Sequence, residues 1–232
     1  MSFLTNPRGY TAAEFDAYVK TLHWGAWKPK FLVLHNTAEP NLRQWANGNR
    51  SNKPTVDYEH QRILNLNSYY KGMGWHSGPH LFVSPTYIWD ACDLAADGVH
   101  VSCWNHVCIG IEMVGDYGVE AFDSGDGAKV RDLTVAALAS LHKALGLRPD
   151  GYRVGESGLH FHKECVRDHH DCPGKHVDKA DVVARVLAAM RYPGGVTTPA
   201  PKAPPVFAQK APAAPTATGG LGATTGHAAL KS

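Results

Sequence analysis

Histidine and cysteine side chains crowd into one late stretch of the chain. Between residues 160 and 176 lie His160, His162, Cys165, His169, His170, Cys172 and His176. Zinc prefers nitrogen and sulfur donors in a tetrahedron, and a catalytic zinc keeps three protein ligands and one open position. One His from an early strand, with one His and one Cys from this stretch, would complete such a site. The stretch therefore predicts a metal centre, although the ten-residue gap between His162 and Cys172 is not a tight zinc signature.

Two short segments elsewhere are predicted to be strands that carry chemically reactive side chains. The apolar run from Lys30 to His35 is typical of a buried strand, and it places His35 at the strand end. Residues 107–114 alternate between one apolar face and a second face that carries Glu112, the only charge in the run. A carboxylate near a metal, but not bound to it, can accept a proton from water.

The remaining pattern predicts an α/β fold. Thr11 and Glu14 form a capping-box pair at the start of a first helix, and Gly146 is expected to end a helix over 130–145. Further helices are predicted over about 55–69 and from about Asp178 to Met190. A hairpin-like pair of strands is predicted at 80–84 and 87–89.

The last 40 residues differ from the rest in composition. From Pro193 onward the chain holds 7 of its 15 prolines and no acidic residue, so we expect a disordered Pro/Ala-rich tail over 193–232. The preceding part carries 20 basic and 21 acidic side chains and lacks the basic excess of a nucleic-acid-binding protein. No apolar stretch is long enough to insert stably in a membrane.

The start of the chain and its cysteines indicate the compartment in which the protein is made. The N-terminus lacks a secretory signal, so we expect synthesis in the cytoplasm. Five cysteines without a regular framework suit a reducing compartment. We therefore expect Cys92, Cys103, Cys108 and Cys165 to be free thiols.

Four segments, in order, resemble motifs of the type-2 N-acetylmuramoyl-L-alanine amidases, a family that includes phage lysis enzymes and is related to the peptidoglycan-recognition proteins. They are Phe31-Leu-Val-Leu-His-Asn-Thr37, Gly78-Pro-His-Leu-Phe-Val83, Ile109-Gly-Ile-Glu-Met-Val-Gly115, and His162 with Asp171-Cys-Pro-Gly174. The resemblance covers roughly residues 28–190. It implies a single mixed β-sheet flanked by α-helices, with a catalytic domain over 28–192 and an N-terminal helical segment, 1–27, packed on it.

The resemblance also implies a site. One Zn²⁺ per chain would be held by His35, His162 and Cys172, with His160 as the rival for the second ligand. Glu112 falls on the residue that serves as general base in family members that carry it. His170 stands where many members have a Lys that steadies the oxyanion, so its contribution is expected to be smaller.

Other matched positions are candidates for binding substrate. His80, His100 and Asn36 lie in or beside the family motifs, and Trp75 or Trp104 could stack on sugars. Pro79 stands where lysis amidases often have a Tyr, which leaves Tyr69 or Tyr70 as candidate replacements.

The function implied is hydrolysis of the amide bond between N-acetylmuramic acid and L-alanine in peptidoglycan. The expected role is that of a phage-type endolysin, a monomer made in the host or bacterial cytoplasm that acts on the cell wall after holin-dependent release. Three alternatives stay open: a peptidoglycan-binding module without activity, a cytoplasmic amidase that recycles wall fragments, and a Cys-His peptidase with Cys108 or Cys165 as nucleophile.

Overall fold

The computed structural model describes residues 2–47 and 56–191, so the predicted tail over 193–232 lies outside the described residues. Within them, one mixed sheet has the strand order β1-β4-β3-β5-β2-β6. The strands are β1 (Gly9–Tyr10), β2 (Phe31–Asn36), β3 (Leu81–Val83), β4 (Ile88–Asp90), β5 (Cys108–Met113) and β6 (Leu159–Phe161). The helices are α1 (Ala12–Thr21), α2 (Leu42–Ala46), α3 (Val56–Gly72), α4 (Gly125–Leu145) and α5 (Lys179–Arg191). This is the predicted α/β architecture.

The predicted start of α1 and the predicted end of α4 are confirmed. Thr11 and Glu14 form the predicted capping box of α1, which satisfies backbone N–H groups that have no partner within the helix. Gly146 ends α4 in the left-handed conformation, with φ of 67°. Helix α4 begins five residues earlier than predicted, because its first turn is polar and gives no apolar periodicity.

The central strands β2, β5, β3 and β6 run parallel, and β4 pairs antiparallel with β3. One face of the sheet carries the larger core, in which Leu32, Leu34, Ile109 and Ile111 pack with α1, α4 and α5. The opposite face packs Phe82 and Trp89 against α3. On that face Phe31 and Val33 of β2 and Cys108 of β5 are also buried, which leaves the C-terminal ends of these two strands for polar side chains.

The N-terminal segment also contributes a strand. Gly9–Tyr10 pairs with Trp89 and Ile88 of β4 at the edge of the sheet, which the sequence pattern did not indicate because two residues carry no periodicity. Among the described residues, no helix is long and apolar enough to cross a membrane.

The prediction of free thiols was wrong for two of the cysteines. Cys103 and Cys165 form a disulfide that joins segments 62 residues apart in sequence. Cys92, Cys108 and Cys172 are free and buried. Sequence spacing could not reveal the pair, because only folding brings the two loops together.

Candidate active site

The two central parallel strands place the first two site residues side by side. His35 is the fifth residue of β2 and pairs in register with Glu112 of β5. Residues in register on neighbouring strands project from the same face of the sheet, and the strands lie about 4.8 Å apart, so the two side chains are neighbours. Both are buried, at 2% and 7% exposure.

The other two ligand candidates come from the segment that follows β6. His162 opens a single 3-10 turn directly after the strand, and Cys172 lies further along the same loop. The backbone N–H of Asn36 donates to Sγ of Cys172 at 3.3 Å, which holds the loop against the end of β2. A Cβ atom added at Gly174 would overlap the backbone of Tyr117 and Gly118. The turn after Cys172 therefore depends on this glycine.

The geometry of the three side chains fits zinc. Nδ1 of His35 and Nδ1 of His162 lie 3.1 Å apart, and the ligand atoms of both rings and of Cys172 all lie within 4.8 Å of one another. Two nitrogen ligands on a tetrahedral zinc lie about 3.3 Å apart when each metal–nitrogen distance is about 2.0 Å. The donor set of two imidazoles and one thiolate is also one that zinc accepts.

The protonation states are consistent with metal binding. Burial, followed by the neighbouring His100 and His162, holds the pKa of His35 well below its usual value, so the ring is neutral and has a lone pair to offer. Burial, with a contribution from Glu112, raises the pKa of the Cys172 thiol. Metal binding at Cys172 must therefore release a proton.

Each of the two candidate histidine ligands has a partner on its other ring nitrogen. Nε2 of His35 lies 3.0 Å from Nδ1 of His100, and Nε2 of His162 lies 2.9 Å from Oδ2 of Asp168. Gly110 makes room for the first of these contacts, because a Cβ on Gly110 would overlap the imidazole of His100. Partners of this kind set the tautomer and the orientation of a metal-binding imidazole.

A cavity of about 350 Å³ opens onto the three ligand candidates. Glu112 lines it, and burial raises the pKa of Glu112 to about 8. A carboxyl group with such a pKa can take up a proton near neutral pH and release it again.

Aromatic and polar side chains complete the lining. Tyr70 and Trp75 stack with ring centroids 5.3 Å apart, and both line the cavity. The ring of His170 stacks on that of His162, at 4.6 Å between centroids, and also faces the cavity. Asn36 lines it as well, although its side-chain amide already donates to the carbonyl of Gly115.

Four of the sequence-derived candidates, Tyr69 among them, do not line this cavity. His80 is fully buried, where Nδ1 accepts from the backbone N–H of Gly110 and Nε2 bonds to the carbonyl of Ala96. Trp104 packs edge-on against Phe31. His160 is the rival ligand, but it stacks on Phe31 and its Nε2 accepts from the backbone N–H of Gly155.

Neither cysteine proposed for a Cys-His peptidase is a suitable nucleophile. Cys165 is in the disulfide with Cys103. Cys108 has no exposed surface, and burial raises the pKa of its thiol. A nucleophilic thiolate needs a lowered pKa and access to substrate.

Two side chains around the ligands were missed from the sequence. Asp168 contacts His162, and Ser102 donates to Asp168 through its backbone N–H and its hydroxyl. The rule that a histidine ligand needs a second partner points to a carboxylate in the late loop, but it does not choose between Glu164, Asp168 and Asp171.

Several solved structures share this fold at low sequence identity. The N-acetylmuramoyl-L-alanine amidase LysC from Clostridium intestinale superposes with a TM-score of 0.51 at 17% identity, covering 72% of this chain and 94% of that one. The endolysine amidase LysCS from the same organism gives 0.50 at 17% identity, covering 72% and 92%. Peptidoglycan recognition protein-LE, in complex with tracheal cytotoxin, gives 0.51 at 15% identity, covering 78% and 86%.

Comparisons of the sequence with curated proteins and with protein-family models gave different results. Among curated proteins, no sequence matches the chain. The model of the N-acetylmuramoyl-L-alanine amidase family (Amidase_2) matches residues 25–175, a span that includes β2, β5 and the loop after β6 as far as Lys175. Because this match covers well over half of the chain, the protein belongs to the N-acetylmuramoyl-L-alanine amidase family.

Proposed function

We propose that the protein is a zinc-dependent hydrolase of the amide bond between N-acetylmuramic acid and L-alanine in peptidoglycan. The observation that carries this proposal is the convergence of His35, His162, Cys172 and Glu112 on one open cavity. When bound, zinc would polarise the substrate carbonyl and lower the pKa of the attacking water towards about 7.

Glu112 acts as the proton carrier in this proposal. Its carboxylate accepts a proton from the attacking water and returns it to the nitrogen of L-alanine as the amide bond breaks. The register of β2 with β5 supports this role, because it holds Glu112 beside His35 rather than among the ligands. The burial of Glu112 also supports this role, because it raises the pKa of the carboxyl group towards the working pH, where proton transfer is favoured.

His170 is proposed to steady the oxyanion that forms at the carbonyl. Its ring lies on the cavity wall, stacked on the ring of His162. An imidazole offers an N–H donor to the oxyanion, whereas a lysine would offer a full positive charge. Its contribution is therefore smaller than that of a lysine at the same position.

Trp75 and Tyr70 are proposed to contact the substrate next to the scissile bond. Their stacked rings form one wall of the cavity, and Trp75 is 38% exposed. Exposed aromatic faces of this kind pack well on the apolar faces of sugars. His100 acts behind His35, through its ring nitrogen, and not on substrate.

The direct test is digestion of purified peptidoglycan, followed by mass spectrometry of the new ends. We expect new L-alanine amines and no new reducing sugars, loss of activity with a chelator, and recovery with zinc. Glu112→Gln is the matched inactive control. New sugar ends, or full activity in excess chelator, would refute the proposal, and binding of peptidoglycan without cleavage would favour a recognition module.

We further propose a lysis role, in which the enzyme attacks the intact wall. The name of LysCS supports this role by analogy of fold. Producing the protein in a bacterium, with and without a separate membrane-permeabilising protein, tests it by culture turbidity. Lysis only when the membrane is opened, and not with Glu112→Gln, is the expected result. Activity confined to soluble muropeptides would point instead to a recycling enzyme.

A further inference from the structure

The contact between His162 and Asp168 decides which nitrogen of His162 is free for a metal. Nε2 of His162 lies 2.9 Å from Oδ2 of Asp168, whereas Nδ1 faces Nδ1 of His35. A neutral imidazole has a single ring proton, and an ionised carboxylate can only accept. The proton therefore belongs on Nε2, and the lone pair on Nδ1 is directed at the other ligands.

Asp168 is itself held in place from a second segment of the chain. The backbone N–H of Ser102 donates to Oδ2 at 2.9 Å, and the hydroxyl of Ser102 donates to Oδ1. The backbone N–H of Asp168 donates to the carbonyl of Cys165 at 3.1 Å. Both carboxylate oxygens thus have fixed partners, so the side chain has little freedom to turn away from His162.

A covalent link joins these same two segments. Cys103 follows Ser102 directly and is bonded to Cys165, three residues before Asp168, with the two Cα atoms 5.8 Å apart. Arg167 adds a hydrogen bond to the carbonyl of Ser102 at 3.0 Å. The disulfide and these hydrogen bonds form one brace around the carboxylate of Asp168.

A second His-Asp pair shows what a surface pair looks like in this protein. His106 and Asp97 contact each other at 2.7 Å, but their side chains are 86% and 41% exposed, against 12% and 17% for His162 and Asp168. Solvent weakens a contact between exposed groups, and partial burial strengthens it. The pair at His162 is therefore the one that can hold a ring in a fixed orientation.

We propose that Asp168 is a positioning residue for the metal, which fixes the tautomer and orientation of His162 and is itself held by Ser102 across the Cys103–Cys165 disulfide. The proposal rests on the proposed zinc site and adds the part of the protein that presents one ligand to it. Carboxylate partners of this kind are typically worth about 10–100-fold in metal affinity.

Zinc affinity is the first measurement, made on the full chain by competition with a chromophoric chelator. Asp168→Ala is expected to lower the affinity by about 10–100-fold. Asp168→Asn keeps the size of the side chain and one acceptor oxygen but loses the charge, so its loss should be smaller. Ser102→Ala removes one of the two donors that hold Asp168 and should have the smallest effect.

The second measurement determines the tautomer of the His162 ring and needs no metal. Nitrogen-15 NMR of the histidine-labelled, metal-free protein should show His162 as the Nε2–H tautomer. In Asp168→Ala the ring should become a mixture of both tautomers, whereas a merely structural role for Asp168 would leave the tautomer unchanged. Asp97→Ala, which breaks the exposed pair, is the matched control and should alter neither zinc affinity nor the His162 signals.

The disulfide is tested by substitution, because thiol reductants bind zinc themselves. The double variant Cys103→Ala, Cys165→Ala should also show weaker zinc binding. Unchanged affinity in Asp168→Ala, or an unchanged tautomer, would overturn the proposal. Wild-type protein that takes up no zinc would overturn both this inference and the proposed function, whereas zinc binding without amidase activity would overturn the function alone.

Discussion

The two faces of β2 and β5 differ in what fixes their side chains. On one face, Leu34 and Ile111 lie without exposed surface in the main core. On the other, at the next residue of each strand, His35 and Glu112 face the cavity. Adjacent residues of one strand therefore belong to two different environments.

The difference shows how each face keeps its geometry. The core face is fixed by close packing, which depends on volume and shape and has no preferred partner for any one side chain. The site face is fixed by directed contacts, such as His35 with His100 and His162 with Asp168. A substitution on the first face should cost stability, and one on the second should cost metal binding or activity.

The sharpest comparison uses neighbouring residues of β2. His35→Ala removes a proposed metal ligand, so we expect zinc binding and activity to fall below detection while the metal-free protein stays folded. Leu34→Ala should lower the free energy of unfolding by about 2–5 kcal/mol and leave the zinc affinity of the folded protein unchanged. Zinc analysis and urea unfolding measure the two effects. Equal loss of zinc in both variants would contradict the separation of the faces.

Glu112→Gln should affect the chemical step alone. Removal of the proton acceptor is expected to lower kcat by about 10²–10⁴-fold, with zinc content unchanged. Ile111→Val, at the preceding residue on the core face, is the control and should cost about 0.5–1.5 kcal/mol of stability with little change in kcat. Activity of Glu112→Gln near the wild-type level would remove Glu112 from the mechanism.

His170→Ala tests the weaker catalytic position. The loss of one donor to the oxyanion should lower kcat by about 10–10³-fold and leave the zinc content intact. His169→Asn changes the adjacent histidine, whose backbone φ of 47° an asparagine tolerates, and should leave kcat unchanged. An unaltered kcat in His170→Ala would exclude its role at the oxyanion.

Gly110→Ala tests whether His100 supports His35. Of these variants, it has the smallest expected effect. The added methyl group would displace the His100 ring, and with it the hydrogen bond to His35, so zinc affinity should fall by at most about 10–100-fold. Gly25→Ala, where an added Cβ meets no atom within 4 Å, is the control. Equal zinc affinity in both variants would show that His100 does not support His35.

Much of this arrangement could be predicted from the sequence because it is local. Alternation along 107–114 separated the core face from the face of Glu112, and the core residues confirm that division. The capping box at Thr11 and the end of α4 at Gly146 likewise depend on neighbouring residues only. The ligand set came from motifs and remains a proposal, but the structure brings its three members together.

The sequence by itself determined strands β2 to β5 and helices α1, α3, α4 and α5, the apolar face of β5, and the family that the motifs resemble. Only the tertiary structure decided that His162 and not His160 lies beside His35, that Asp168 and His100 support the two rings, and that Cys103 is bonded to Cys165. The physical reason is separation along the chain. Each of these contacts joins segments that are distant in sequence, or selects one residue among several in the same loop. Local periodicity predicts neither, because the packing of the whole sheet sets the distances.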